Sequence, residues 1–170
     1  MHVVLVGQMA VGKTTVARAL GARLDRPVRD SDDDLTAARG ISGRELAETE
    51  GVDALHRWEA LHLLGALAEP TPSVVAAAAS VVDDPGCRRA LIAHVVVWLR
   101  ASARTLADRI PTSGHRRALG LDPVRELTAL GAERDALYRE VADLALDVDD
   151  TGPDRVAAVI LGGLPPAARA

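Results

Sequence analysis

The stretch Gly7-Gln8-Met9-Ala10-Val11-Gly12-Lys13-Thr14 decides the fold of this chain. It has the form G-x-x-x-x-G-K-[ST], the pattern of a phosphate-binding loop between a strand and a helix. Ahead of it, His2-Val3-Val4-Leu5-Val6 is rich in β-branched residues and predicts a buried strand. Behind it, Val16, Leu20 and Leu24 recur every four residues, as on one face of a helix. This context favours a phosphate loop over an ordinary glycine turn.

The chemistry of the loop follows from its glycines and from the start of the helix. Gly7 and Gly12 allow the backbone to turn tightly and to approach an anion closely. Successive N–H groups and the helix N-terminus then face the phosphates of a nucleotide. Lys13 can place a cation on the β- and γ-phosphates, and the Thr14 hydroxyl can ligate Mg²⁺. The predicted nucleotide-binding residues of this region are Gly7, Ala10, Val11, Gly12, Lys13, Thr14 and Thr15.

Composition favours a single cytoplasmic domain over residues 1–170. That length suffices for one domain with a core and is short for two. The chain has no phenylalanine, so the core must be built from small side chains such as Ala, Val and Leu. A net charge of −4 argues against nucleic-acid binding, and no apolar stretch has the length of a signal peptide or a membrane span. Cys87 is the only cysteine, which excludes a disulfide framework. We therefore expect a cytoplasmic monomer without nucleic-acid or membrane partners.

Strands and helices alternate along the rest of the chain. Short apolar runs predict further strands at residues 28–30, 73–79, 95–99 and 144–148. Helices are predicted to begin near residues 35, 42, 53, 85, 102, 123 and 153. Ser42 and Glu45 can form a capping box at the second of these starts. Residues 111–120 form a polar, basic, glycine-flanked loop. This alternation indicates an α/β fold with a five-stranded parallel sheet covered by helices on both faces. Ligands of such sheets bind at the carboxyl ends of the strands.

Two carboxylates follow the second strand and can face the phosphate loop. A carboxylate at Asp30 or Asp32 can hold hydrated Mg²⁺ or accept a proton from an attacking hydroxyl. The alternative is a solvated acidic turn that caps the next helix. The interpretation as a solvated acidic turn is stronger for Asp33 and Asp34 than for Asp30 and Asp32.

Apolar residues recur along two of the predicted helices, and in the second of them they define a buried face. In the helix from residue 53 the apolar positions are Leu55, Trp58, Leu61 and Leu64. In the helix from residue 123 they are Leu127, Leu130, Leu137, Tyr138 and Val141. Arg134 lies on this second face, and a buried arginine needs a counter-charge. Alternatively, its stem lies on apolar surface while its head reaches water.

These landmarks, in this order, resemble the shikimate kinase family of P-loop small-molecule kinases, and the resemblance covers nearly the whole chain. They are the phosphate loop, Asp30-Ser31-Asp32, Gly51 with a helix after it, Pro85-Gly86-Cys87-Arg88, Arg116-Arg117-Ala118-Leu119, the stretch from Arg134 to Asp143, and Pro153. The stretch from Arg134 is similar to the family's R-x-P-L-Y-x-E-x-A-D.

The resemblance implies a three-layer P-loop kinase fold with a substrate-binding helical segment at about 33–61 and a lid at about 111–120. It implies transfer of the γ-phosphate of ATP, with Mg²⁺, to a hydroxyl of a small polar acceptor, which can carry a carboxylate. Both segments are expected to close over the ligands.

Roles for individual positions on the nucleotide side also follow from the resemblance. Asp30 looks like the carboxylate near Mg²⁺, and Arg109 and Pro153 look like the pair that brackets the adenine. Arg116 looks like the lid arginine that reaches the transferred phosphate, with Arg117 as the adjacent candidate.

On the acceptor side, Asp32 looks like the residue that binds the reacting hydroxyl and acts as base, and Arg134 like the arginine that pairs with the acceptor's carboxylate. Two features depart from the family. Its arginine near the start of the helix after Gly51 is His56 here, with Arg57 next to it. Histidine lacks the bidentate fork of arginine.

The second departure replaces the family's glycine triplet by Ala78-Ala79-Ser80. Wherever that backbone needs a positive φ, a residue with a Cβ atom would be strained by about 1–2 kcal/mol. Three hypotheses follow: a kinase of this family with another acceptor, a shikimate kinase that tolerates the changes, and a nucleotide-binding protein without transferase activity. We expect that shikimate is not the preferred acceptor.

Overall fold

Five parallel strands form the centre of the structure, a computed structural model that describes residues 1–110 and 122–169. Their order in the sheet is β2-β3-β1-β4-β5. The strands are β1 (Val3–Val6), β2 (Val28–Asp30), β3 (Val74–Ala76), β4 (Val95–Arg100) and β5 (Leu144–Asp147). In the register of the central strands, Leu5 lies between Ala76 and Val97. The phosphate loop therefore leaves the sheet from its middle strand.

Helices cover both faces of this sheet. They are α1 (Lys13–Leu24), α2 (Ser31–Arg39), α3 (Gly43–Glu50), α4 (Val52–Ala68), α5 (Pro85–Leu91), α6 (Ala103–Arg109), α7 (Pro123–Val141), α8 (Pro153–Gly163) and α9 (Pro166–Arg169). Val3 and Leu5 pack with α1 and α8 on one face, whereas Val4 and Val6 pack with α4 and α5 on the other. This alternation along one buried strand confirms the predicted α/β fold class.

Two element boundaries differ from the predictions by more than one residue. Strand β3 ends at Ala76, and residues Ala79–Asp83 form a 3₁₀ helix instead of the end of a strand. Alanine has little preference for strands, so a run of alanines does not mark where a strand ends. Helix α2 begins at Ser31 rather than near residue 35, because the Asp30 side chain caps it by accepting hydrogen bonds from the backbone N–H groups of Asp32 and Asp33.

The apolar residues spaced by three in α4 do not share one buried face. Leu55 is buried, and Trp58 packs against the same small cluster. Leu61 is 68% exposed, and the face that packs on the sheet includes Leu63, Ala66 and Leu67. Three residues advance a helix by about 300°, so a strict spacing of three drifts around the helix by about 60° at each step. In α7, Leu127 and Tyr138 are buried as predicted.

Helices α2, α3 and α4 form a small unit above the carboxyl ends of the strands. Leu35, Leu46 and Leu55 make a separate apolar cluster there. Helix α3 begins with the expected capping box between Ser42 and Glu45. This unit is the part of the fold that closes one side of the site. Within the described ranges no helix combines the length and the apolar character needed to cross a membrane.

Candidate active site

The phosphate loop is held in a shape that needs glycine at its first position. Gly7 has φ 139°, and a Cβ atom built on it would clash with the backbone oxygen of Leu99 in β4. Gly12 has φ 103°, and Ala10 adopts φ 62°, a conformation that costs a residue with a Cβ atom about 1–2 kcal/mol. Helix α1 starts at Lys13, directly after the loop. The loop therefore presents backbone N–H groups and a helix N-terminus at the same place.

Lys13 lies inside this loop with only 6% of its surface exposed. Its Nζ donates hydrogen bonds to the backbone oxygens of Gly7 at 2.8 Å and Gln8 at 2.9 Å. A buried ammonium group needs such partners. The contacts fix the cation at the mouth of the loop, where the phosphates of a nucleotide are expected.

Asp30 connects the phosphate loop to the second strand. Its Oδ2 accepts a hydrogen bond of 2.7 Å from the Thr14 hydroxyl, while its Oδ1 accepts the bonds that cap α2, from Asp32 N at 3.0 Å and Asp33 N at 3.3 Å. Asp30 is 5% exposed. The Thr14 hydroxyl and the Asp30 carboxylate are hard oxygen donors, which suit Mg²⁺ when phosphate oxygens and water complete its shell.

A cavity between the phosphate loop, α2, α4 and α7 gathers most of the predicted catalytic and acceptor residues. We call it the Asp32 cavity. Its lining includes Lys13, Thr14, Asp30, Asp32, His56, Glu59, Ala78, Ala79, Ser80 and Arg134. These residues come from several separate elements and loops, and the carboxyl ends of β2 and β3 bring them together.

Arg134 has the counter-charge that its position on α7 requires. Its Nε lies 3.1 Å from both carboxylate oxygens of Asp83, and its Nη2 donates to Asp83 Oδ2 at 2.6 Å. The Arg134 side chain is 12% exposed and that of Asp83 42%. The ion pair joins α7 to the 3₁₀ helix, and it compensates the charge of the arginine that faces the cavity.

Glu59 is a third carboxyl group in this cavity, besides Asp30 and Asp32. It accepts a hydrogen bond from the Ser80 hydroxyl. Desolvation raises the pKa of Glu59 to about 7, and the nearby charge of Asp32 adds to this rise, whereas the Ser80 hydrogen bond and the charges of Arg134 and Lys13 oppose it. The side chain that replaces the last glycine of the family's triplet thus binds a carboxyl group of α4.

The two departures from the family both lie in this cavity. His56 lines it, as ungapped spacing predicted, whereas Arg57 is exposed and is not among the lining residues. None of Ala78, Ala79 and Ser80 has a positive φ, so the expected backbone strain is absent. Their Cβ atoms still take up room in the cavity wall. Arg116 and Arg117, with the rest of the predicted lid, lie outside the described residues.

A second cavity lies on the other side of the phosphate loop. We call it the Arg109 cavity; its lining includes Ala10, Val11, Gly12, Thr14, Thr15, Arg109, residues 148–152 and Pro153. The Arg109 guanidinium donates to the backbone oxygens of Val11 at 3.4 Å and of Val148 and Asp149 at 3.2 Å each. Arg109 and Pro153, predicted to bracket a base, share this cavity. Thr14 lines both cavities, so they meet at the end of the phosphate loop.

Comparison with known proteins identifies the family. The sequence model described as shikimate kinase matches residues 9–164. A shikimate kinase of Aromatoleum aromaticum is 38% identical over 149 residues, 86% of this chain and 85% of the relative. One of Streptomyces avermitilis is 34% identical over 163 residues, 96% and 95% of the two chains. The chain belongs to the shikimate kinase family. Members of this family are ATP-dependent small-molecule kinases.

The family assignment agrees with a solved structure. The shikimate kinase of Acinetobacter baumannii, solved in complex with shikimate, superimposes with a TM-score of 0.87 at 28% identity and covers 94% of this chain and 90% of its own. The recognition and the enzyme class predicted from sequence motifs are therefore confirmed.

Sequence reasoning missed two polar contacts at the Asp32 cavity and a third within the unit of α2, α3 and α4. Glu59 follows His56 by three residues, a spacing that places both on one helix face and could have drawn notice. The position of Asp83 in the sequence shows no comparable spacing to a predicted site residue.

Asp34 was the third, since it fitted a solvated turn. Its Oδ2 binds His62 Nε2 at 2.6 Å and Arg29 Nε at 2.8 Å, which ties α2 to α4 and β2. Burial opposes ionisation of Asp34, but the hydrogen bonds from His62 and Arg29 hold its pKa below the usual value. Asp34 is therefore a cross-link of the helical unit rather than a solvated residue.

Proposed function

We propose that this protein transfers the γ-phosphate of Mg·ATP to a hydroxyl group of a small polar acceptor bound in the Asp32 cavity. The observation that carries this proposal is that Thr14 lines both cavities. A nucleotide whose base lies between Arg109 and Pro153 and whose phosphates follow the loop directs its terminal phosphate towards Asp32. Holding two reactants in this way supplies much of the catalysis of a phosphoryl transfer.

The nucleotide side of the proposal uses the phosphate loop and its metal. The N–H groups from Ala10 to Thr15 bind phosphate oxygens, and Lys13 adds a cation to the β- and γ-phosphates. Thr14 and Asp30 are the residues that would hold Mg²⁺, which neutralises phosphate charge when it is bound.

On the acceptor side, Asp32 orients the reacting hydroxyl and accepts its proton. His56, Arg134 and the wall from Ala78 to Ser80 position the rest of the acceptor. Arg116, or Arg117 beside it, stabilises charge on the transferring group from the lid.

The unit that works in this way is one domain over residues 1–170. We expect it to act as a monomer in the cytoplasm. The helical segment at about 33–61 and the lid at about 111–120 are expected to close over acceptor and nucleotide, respectively.

Shikimate itself is the second candidate acceptor, because the relatives are named for it and one was solved with it. His56 disfavours shikimate as the preferred acceptor, since a histidine gives no bidentate contact to a carboxylate. The Cβ atoms of Ala78, Ala79 and Ser80 reduce the space for the acceptor in the cavity. Loss of a charge-assisted hydrogen bond costs roughly 1.5–3 kcal/mol, which is about ten- to a hundredfold in affinity.

Asp32→Asn tests the proposed reaction. Asparagine keeps the shape of the side chain but cannot accept the proton, so kcat should fall by about 10²–10⁴-fold while the KM for ATP stays nearly constant. ADP formation is measured with a panel of hydroxy acids, sugars and cyclitols.

Asp33→Asn is the matched control for that test. Asp33 is the next residue of α2 and pairs with Arg18 at the surface. This variant should keep wild-type turnover. Full activity of Asp32→Asn with the same acceptor would exclude the proposed role.

A further inference from the structure

We propose that the acceptor of this enzyme is an uncharged polyhydroxyl molecule, a sugar or a cyclitol, rather than a carboxylic acid. This inference rests on the proposed function and names the substrate class of the same site. It follows from the charges around the Asp32 cavity and from the way in which Arg134 is held.

The Asp32 cavity has more carboxyl groups than cations among the described residues. Asp30, Asp32 and Glu59 line it, against the ammonium group of Lys13 and the guanidinium of Arg134. Lys13 is held by loop carbonyl groups at the phosphate end of the site. Within the described lining, Arg134 is therefore the cation that could bind the carboxylate of an acidic acceptor.

The charge of Arg134 is already compensated. Asp83 binds it through both Nε and Nη2, with a closest approach of 2.6 Å. An acceptor carboxylate placed beside Arg134 would also lie near Asp83 and share the cavity with the Asp32 carboxylate. Removing a carboxylate from water is costly unless an unshared positive charge replaces its hydration.

A hydroxyl group, in contrast, finds suitable partners on every side. A guanidinium has five N–H groups, and Asp83 engages Nε and Nη2, so Arg134 retains donors for a hydroxyl oxygen. Asp32 and Glu59 each bring a carboxyl group, and the His56 ring and the Ser80 hydroxyl complete a lining of hydrogen-bonding groups. Such a lining matches an acceptor whose hydroxyls both donate and accept.

The test compares two acceptors of nearly the same shape, one with a charged carboxylate and one with a neutral amide. Shikimate and its primary amide share one ring and the same hydroxyls, and ADP formation at pH 7 gives kcat/KM for each. Uncharged cyclitols and sugars are assayed beside hydroxy acids of similar size. We expect the wild-type enzyme to favour the amide by about tenfold or more, and its best acceptor to be uncharged.

Asp83→Asn then tests the cause of that preference. Without the Asp83 charge, the positive charge of Arg134 is uncompensated and can pair with the carboxylate of the acceptor. The ratio of kcat/KM for acid over amide should therefore rise by about tenfold. Glu140→Gln is the matched control, because Glu140 lies on α7 like Arg134 but pairs with Arg88 of α5 and is not among the cavity-lining residues. Its acid-to-amide ratio should equal that of wild type.

The outcomes separate this inference from the proposed function. A wild-type preference for the acid, a best acceptor that carries a carboxylate, or an unchanged ratio in Asp83→Asn would overturn the inference and leave the kinase activity standing. If no compound of the panel is phosphorylated, or if Asp32→Asn is fully active, the proposed function itself fails, and the inference fails with it.

Discussion

Replacing Glu59 by glutamine should stabilise this protein at alkaline pH and change little under acidic conditions. Glu59 lies in the Asp32 cavity, against Ser80 and close to the charge of Asp32. Glutamine has the shape of a protonated glutamic acid and keeps a hydrogen-bonding group for Ser80. The substitution therefore removes the cost of ionising a partly buried carboxyl group without opening a cavity.

The magnitude follows from the pKa of Glu59. Desolvation and the neighbouring Asp32 raise it from 4.5 to about 7 in the folded protein. Below pH 4.5 the group is protonated in both states and has no effect. Between pH 4.5 and 7 the unfolded chain releases this proton while the folded protein retains it, so wild-type stability falls, and above pH 7 the loss is complete.

Each pKa unit corresponds to about 1.4 kcal/mol, so the full rise sets an upper limit of about 3 kcal/mol. Since the Glu59 side chain keeps some contact with solvent, we expect about 2 kcal/mol at pH 8. That difference corresponds to roughly 4–8 °C in Tm for a domain of this size.

Urea unfolding of wild type and Glu59→Gln at pH 4.5 and pH 8 measures the effect. Glu48→Gln is the control, because Glu48 forms an exposed i,i+4 pair with Arg44 on α3. This control should change the free energy of unfolding by no more than about 0.5 kcal/mol at either pH. A difference between Glu59→Gln and wild type that is the same at both pH values, or a variant less stable than wild type at pH 8, would refute the reasoning.

Two further predictions concern the phosphate loop. Lys13→Ala should abolish the rise in Tm that Mg·ATP causes, because the free energy of nucleotide binding no longer stabilises the folded state. Arg18→Ala, at an exposed position of the same helix, is the control and should retain this rise. Equal rises in Tm in both variants would contradict the role of Lys13. Gly7→Ala should cost about 3 kcal/mol or more in the free energy of unfolding, because its Cβ atom meets the Leu99 backbone at a positive φ. Gly65→Ala, exposed on α4, should instead stabilise by about 0.5–1 kcal/mol, and a Gly7→Ala protein as stable as wild type would show that the clash is relieved by movement.

Local patterns in the sequence were enough to predict the fold and the phosphate-binding part of the site. The phosphate loop is a contiguous motif whose function depends on its own backbone, so the order of residues from Gly7 to Thr14 suffices to assign it. The capping box of Ser42 and Glu45 is equally local and is confirmed. The need of Arg134 for a counter-charge also followed from its place on an apolar helix face.

The identity of that counter-charge depended on tertiary structure. Asp83 is remote from Arg134 in sequence, and the two meet because the 3₁₀ helix after β3 packs against α7, an element that a run of alanines did not predict. Glu59 and Ser80 meet in the same way, between α4 and the end of β3. The sequence alone thus determined where phosphate binds, because that site is built from adjacent backbone groups. The charge of the acceptor cavity was decided by the tertiary structure, because a side chain's partner and its loss of water depend on elements brought together from distant parts of the chain.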